Sequence, residues 1–196
     1  MSFSEYGDLA AKTSVAAVLG SSKLLKIKDF TYNGPKFRTS DLAHMYHEVS
    51  NPNGKLNVKV KTNSKFDAFY QSKGNTLYLR FVTASDLTKQ ALVVHEVTHA
   101  LFDFKMAKMD IATSEAIAYI VQCQYARANS TSDDPDVRLW DDGDDDWVFD
   151  IGWRIAGKLL SGGSIDSTDE ADMRQAVRKN SKYHKEYTDM ADFDGM

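Results

Sequence analysis

The sequence predicts an α+β fold in one domain that spans residues 1–196. Its 196 residues and 22.0 kDa match the size of a single ordinary domain. Apolar and polar residues alternate with a period of two in segments between residues 56 and 82, which indicates strands. From residue 86 onward apolar residues recur every three or four positions, which indicates helices. We therefore expect a small sheet followed by a largely helical C-terminal half.

Turn-forming residues and helix caps divide the chain into its predicted elements. Before the change of period we expect helices at 4–19 and 40–49 and strands at 56–62, 66–71 and 76–82. The last two strands form a hairpin. After the change of period we expect helices at 86–104, 113–128, 147–160 and 167–186. An acidic loop at about 129–146 precedes a helical C-terminal part at 147–190.

Composition argues against several classes of protein. Apolar residues make up 42% of the chain, and a mean hydropathy of −0.44 without an 18-residue apolar run argues against a membrane span. A sequence pI near 5.7 does not favour nucleic-acid binding. Cys123 is the sole cysteine, which excludes an internal disulfide. The first 20 residues carry Glu5, Asp8 and Lys12 where a signal peptide would be apolar. We therefore expect a cytoplasmic protein, or one exported without a cleaved signal peptide.

The segment most informative about function is His95-Glu96-Val97-Thr98-His99, within the predicted helix 86–104. Histidines four positions apart project from the same face of a helix, so both imidazoles can reach one ion. Zinc binds neutral imidazole at about 2.0–2.1 Å and prefers four ligands in a tetrahedral arrangement. Glu96 follows His95 directly, where its carboxylate can act as the general base toward a zinc-bound water. The motif predicts one Zn²⁺ ion and hydrolytic chemistry.

Two residues compete for the role of third protein ligand. Glu115 lies 16 residues after His99, in the first turn of the predicted helix 113–128. If the two helices pack antiparallel across a loop of about eight residues, Glu115 returns to the histidine pair. Asp110 is the alternative, although its position just before the helix also suits a capping residue. Metzincins have a histidine six residues after the second one, and here Lys105 occupies that position.

The segment 93–125 resembles the gluzincins, which are zinc peptidases with an HExxH motif and a downstream glutamate on a following helix. It is especially similar to small bacterial proteins with an HExTHA helix followed by an EAxAY helix. The resemblance implies a zincin-like metallopeptidase fold and a peptide or protein substrate. It also implies that His95, His99 and Glu115 are the metal ligands and that Glu96 is the catalytic base.

The resemblance extends to weaker candidates. Thermolysin-like gluzincins have an aspartate four residues after the ligand glutamate, and this chain has Tyr119 there. Tyr119 is expected either to assist catalysis by hydrogen bonding or simply to pack between helices. His184 is a further candidate for stabilising a reaction oxyanion. In zincins the strand ahead of the zinc helix lines the substrate cleft, which assigns the strand 76–82 to that role. Asp103, one turn after His99, can accept a proton from a ligand imidazole or simply end the helix.

Other hypotheses stay open at this point. A non-catalytic binding or regulatory module stabilised by zinc would have a closed shell of four protein ligands. A metal-free interaction protein is the second alternative. Within the enzyme class, the chain is either a bacterial housekeeping peptidase or an effector or toxin delivered into another cell. Aspartates in 133–150 are a candidate Ca²⁺ site, although a solvated loop is favoured. His44 and His47 are more simply explained as a solvated pair.

Overall fold

The computed structural model describes residues 3–131, 147–179 and 189–195. The helices are α1 (Phe3–Leu19), α2 (Thr39–Ser50), α3 (Leu87–Phe104), α4 (Ile111–Asn129), α5 (Trp147–Leu160) and α6 (Ser167–Lys179), with a short 3₁₀ helix at Leu24–Lys26. The strands are β1 (Phe30–Thr31), β2 (Lys36–Phe37), β3 (Asn57–Val60), β4 (Ala68–Gln71) and β5 (Thr76–Leu79). This arrangement confirms the predicted α+β class.

Three strands form the sheet next to α3, in the order β3-β5-β4. The predicted hairpin joins β4 to β5 in antiparallel pairing, and its turn places Gly74 and Asn75 at positive φ angles of 94° and 48°. β3 pairs with the other side of β5 in parallel. β5 is therefore the central strand and β4 is an edge strand, whose outer side has no strand partner among the described residues.

The two helices that carry the motif residues begin at aspartate caps. The carboxylate of Asp86 accepts a hydrogen bond from Lys89 N at the start of α3, and that of Asp110 accepts one from Thr113 N at the start of α4. The predicted helices 86–104 and 113–128 are thus confirmed with ends that agree within two residues. A short connection separates them, and it begins with Lys105 and with Met106 at a positive φ of 49°.

α4 is the central helix of the fold, because α3, α5 and α6 all pack against it. Every residue from 112 to 126 is buried, including the polar side chains of Ser114, Glu115, Gln122 and Gln124. Buried polar groups are costly unless they are paired or bind a ligand. α5 approaches α4 closely at Gly152, where a Cβ atom would lie 2.8 Å from the sulfur of Cys123. Cys123 is fully buried, as expected for a small core residue.

The remaining elements agree with the sequence in part. The predicted helix 167–186 is present as far as Lys179, and its residues 180–186 lie outside the described residues. The ribbon of β1 and β2 was not predicted, because two residues per strand are too few to show a period of two. Within the described ranges, none of the helices combines the length and the apolar character needed to cross a bilayer.

Candidate metal centre

α3 and α4 pack antiparallel, and this places the motif residues together. Three contacts define the register: Tyr125 donates its hydroxyl hydrogen to Gln90 at 3.1 Å, the rings of Tyr119 and His95 have centroids 4.6 Å apart, and Ser114 Oγ lies 2.9 Å from His99 Nδ1. Residues later in α3 thus lie opposite residues earlier in α4. The first turn of α4 lies beside the second histidine as a result.

The ligand atoms of His95, His99 and Glu115 converge on one point. The two Nε2 atoms are 3.3 Å apart, and each lies 3.5 Å from a carboxylate oxygen of Glu115. Two ligands at about 2.0–2.1 Å from a tetrahedral zinc ion are separated by about 3.3 Å. Two imidazoles and one carboxylate are also ligand types that zinc accepts. The residues present therefore fit a zinc ion in both spacing and chemistry.

The environment favours the neutral form of at least one imidazole. Burial lowers the pKa of His99 from 6.5 to about 4, more than the nearby charge of Glu115 raises it. Burial also lowers the pKa of His95, but its hydrogen bond to the Glu115 carboxylate and the charges of Glu96 and Glu115 outweigh burial and raise that pKa above its ordinary value. His99 is consequently neutral at pH 7, which is the form that binds a metal.

Ser114 fixes the orientation of the His99 ring. Its hydroxyl oxygen is 2.9 Å from His99 Nδ1 and can accept the Nδ1 hydrogen, which leaves the lone pair of Nε2 available to an ion between His95 and Glu115. Sequence reasoning missed this residue. The signal that could have found it was the antiparallel register itself, because the residue before Glu115 must then face the second histidine.

Replacing Ser114 with alanine is expected to weaken zinc binding by about 10–100-fold, since the ring of His99 loses its orienting partner. A competition titration against a chelator of known affinity measures this change. Thr113→Val is the matched control, because the Thr113 hydroxyl lies one residue away and contacts Asn33 and Arg174 instead of a histidine. Equal zinc affinity in Ser114→Ala and in the unsubstituted protein would show that Ser114 does not position the ring.

Glu96 is held next to this group by the edge of the sheet. Its Oε2 atom accepts a hydrogen bond of 2.8 Å from the backbone N of Tyr70 in β4. The side chain is largely buried and lines the same cleft as His95, His99 and Glu115. A backbone donor fixes the position of the carboxylate without neutralising it, so Glu96 can still accept a proton.

The cleft above these residues has a volume of about 330 Å³. β4 contributes one part of its wall, with Ala68, Phe69 and Tyr70, and the segment 189–195 contributes another, with Phe193 among its lining residues.

Segment 189–195 is attached to the connection between α3 and α4 by an antiparallel bridge. Ile111 N donates to the carbonyl of Asp189 at 3.0 Å, and Ala191 N donates to that of Met109 at 2.9 Å.

The prediction that the strand 76–82 lines the cleft is wrong. The part of this segment that forms a strand, β5, is paired on both sides, and residues 76–82 are absent from the described lining of the cleft. β4 takes this place, because the hairpin folds it back between β5 and the motif residues. The order of strands in a sheet depends on contacts that are distant in sequence, so nearness to α3 along the chain did not determine it.

Asp103 connects the two walls of the cleft. Its fully buried carboxylate accepts hydrogen bonds from the hydroxyl of Tyr70 at 2.5 Å and from the backbone N of Gly195 at 2.8 Å. Burial and this hydrogen bond raise the pKa of Tyr70 above its ordinary value. The described contacts of Asp103 are therefore made with β4 and with segment 189–195 and not with a ligand imidazole, while its place near the end of α3 agrees with the other alternative.

Asp110, the alternative third ligand, is engaged elsewhere. Its carboxylate caps α4 and forms an ion pair with Arg174 of α6. Burial raises the pKa of Asp110, but the bonds from Arg174 and Thr113 outweigh it and lower the pKa below its ordinary value. Among the described residues, the group that could hold a metal contains Glu115 and not Asp110.

Of the other candidates, Tyr119 touches this group, His44 lies on α2, and others fall outside the described residues. Tyr119 packs edge-on against His95 and Phe149, so its predicted role as a donor to the reaction oxyanion stays a prediction. His44 lies 3.7 Å from Glu48 on α2, with an exposed side chain. His184 and residues 132–146, which hold most of the candidate Ca²⁺ site, lie outside the described residues.

Comparison of the chain with models of protein families, with curated proteins and with solved structures finds no match. The likeness to gluzincins thus stays a prediction, and the functional assignment depends on the geometry of the site.

Proposed function

We propose that the protein is a zinc-dependent metallopeptidase. The observation that carries this proposal is the convergence of His95, His99 and Glu115 beside Glu96, on the floor of a cleft bordered by the edge strand β4. Three protein ligands and an accessible side are typical of catalytic zinc, whereas structural zinc has four protein ligands. Among the described residues, three candidate ligands lie within 4.8 Å of one another.

Zinc held by the two Nε2 atoms and the Glu115 carboxylate would polarise the scissile carbonyl and lower the pKa of a water molecule. The role of the protein is then to place a base, exclude bulk water and orient the peptide. Glu96 serves as the base, because its carboxylate lines the cleft and is fixed by Tyr70 N. It takes a proton from the attacking water and transfers it to the leaving amine.

The edge of β4 supports an extended peptide as the substrate. The carbonyl of Asp67 accepts a hydrogen bond from Arg80 N across the hairpin. In an antiparallel pair the backbone N–H and C=O groups of successive residues point alternately toward the partner strand and away from it. The backbone groups of Ala68 and Tyr70 therefore point away from β5, and Tyr70 N donates to Glu96. The backbone groups of Ala68 and the carbonyl of Tyr70 can form hydrogen bonds with an extended peptide, which would lie beside β4 as a further strand.

The composition of the cleft indicates which peptides fit. Phe66, Phe69, Ile111 and Phe193 give it apolar walls, and its acidic side chains include Asp192. Lysine and arginine are missing from its described lining residues. A cleft of this kind favours unfolded segments with apolar or basic side chains and disfavours acidic ones, because like charges repel in a partly buried site.

The proposal predicts that zinc-loaded protein hydrolyses an unfolded, fluorescently labelled protein substrate. Removal of metal by a chelator should abolish the reaction, and one equivalent of Zn²⁺ should restore it while Mg²⁺ should not, since the donor set includes two imidazoles. Release of new amino termini measures the reaction. Zinc-loaded protein that leaves a range of unfolded substrates intact would contradict the peptidase assignment.

A further inference from the structure

Gln122 is a buried polar residue on α4. Its side chain is 1% exposed, and neither its Oε1 nor its Nε2 atom makes a hydrogen bond within the described residues. Nδ1 of His95 is also buried, and it too makes no hydrogen bond in the part of the chain that the structure describes. Buried polar atoms are nearly always satisfied, so unpaired groups on neighbouring helices call for an explanation.

The register of the helices places Gln122 within one helical turn of the residue opposite His95. Glu115, Tyr119 and Gln122 follow one another at spacings of four and three on α4, which puts them on one face of the helix. Glu115 and Tyr119 both contact His95. Gln122 continues this row and lies between two residues that contact α3, Tyr119 at His95 and Tyr125 at Gln90.

We propose that Gln122 is a positioning residue for His95, with its Oε1 atom accepting the Nδ1 hydrogen of the ring. This inference rests on the proposed zinc site. The hydrogen bond would fix the tautomer of His95 so that the lone pair of Nε2 points at the ion. Ser114 does the same for His99 from the first turn of α4, so each imidazole has its own partner on that helix.

An amide in this position also suits the charge of the site. Glu96 and Glu115 already supply two carboxylates next to the histidines. A third acid would add negative charge in a buried region, whereas a glutamine accepts the same hydrogen bond without charge. A neutral amide would hold His95 more weakly than a carboxylate would, and Gln122→Glu tests this difference.

The test compares zinc affinity and apoprotein stability in Gln122→Leu, Gln122→Met and Gln122→Glu. The two apolar variants should bind zinc about 10–100-fold more weakly, while Gln122→Glu should bind it at least as tightly as the unsubstituted protein. The apoprotein melting temperature should fall less in the apolar variants than in Gln124→Leu, since among the described residues the Gln122 amide makes no hydrogen bond and the Gln124 amide makes two. Visible spectra of Co²⁺-loaded protein should shift in the apolar variants, because the geometry at the ion changes.

Gln124→Leu is the matched control. Gln124 is also buried on α4, but its amide accepts from Lys28 N at 2.9 Å and donates to the Lys28 carbonyl at 3.3 Å. This variant should melt at a lower temperature and bind zinc with unchanged affinity. Unchanged zinc affinity in both apolar Gln122 variants would overturn the positioning role alone. An unsubstituted protein that binds no zinc would overturn the proposed function and this inference together.

Discussion

Replacing Glu115 with glutamine is expected to remove high-affinity zinc binding. The substitution keeps the size of the side chain but exchanges an anionic ligand for a neutral amide, which leaves two imidazoles to hold the ion. Zinc sites with four protein ligands contribute about 10–16 kcal/mol, so the loss of one ligand weakens binding on the order of 10²–10³-fold. Metal content after gel filtration and a competition titration both measure the change.

Glu48→Gln provides the matched control for that experiment. The carboxylate of Glu48 lies on α2, accepts a hydrogen bond from Lys55 N and contacts His44, so the same chemical change is made away from the site. The control should bind zinc as the unsubstituted protein does and be stabilised by it against heat. If Glu115→Gln retained full zinc affinity, Glu115 would not be a ligand.

Replacing Glu96 with glutamine is expected to separate metal binding from hydrolysis. The amide oxygen can still accept the hydrogen bond from Tyr70 N, so the side chain keeps its position beside the cleft. An amide cannot take a proton from water at neutral pH, and loss of a general base lowers rates by about 10²–10⁴-fold. Zinc affinity should stay within a few-fold of the unsubstituted value.

Peptide hydrolysis and zinc content are measured on the same preparations of Glu96→Gln. Full activity in this variant would mean that another group acts as the base, and the assignment of Glu96 would be wrong. Loss of zinc together with activity would indicate that Glu96 belongs to the metal shell. Loss of hydrolysis with zinc retained agrees with the proposed role.

The helices that carry the candidate site could be predicted closely from the sequence. Apolar spacing on both helices, with Asp86 as a candidate cap for α3, gave their ends within two residues, although α4 begins at Ile111 after Asp110 and not at 113. The short connection between them predicted antiparallel packing, and hence the return of Glu115 to the histidine pair. Local signals sufficed here because the site is built from two helices adjacent in the chain.

The surroundings of the site could not be predicted in the same way. The choice of β4 over β5 as the edge strand, and the contact of Asp103 with Gly195, join residues that are distant in sequence. Ser114 and Gln122 gave no signal of their own, since serine and glutamine in a helix are common. Only the register of α3 against α4 shows that these two residues lie near the histidines.

Anomalous diffraction at the zinc absorption edge, from crystals of the zinc-loaded protein, locates the ion itself. We expect one strong peak within about 2.0–2.2 Å of His95 Nε2, His99 Nε2 and a Glu115 oxygen, with the fourth side open to the cleft. If the zinc ion lay elsewhere, or if no peak appeared between these three side chains, they would not form the metal site.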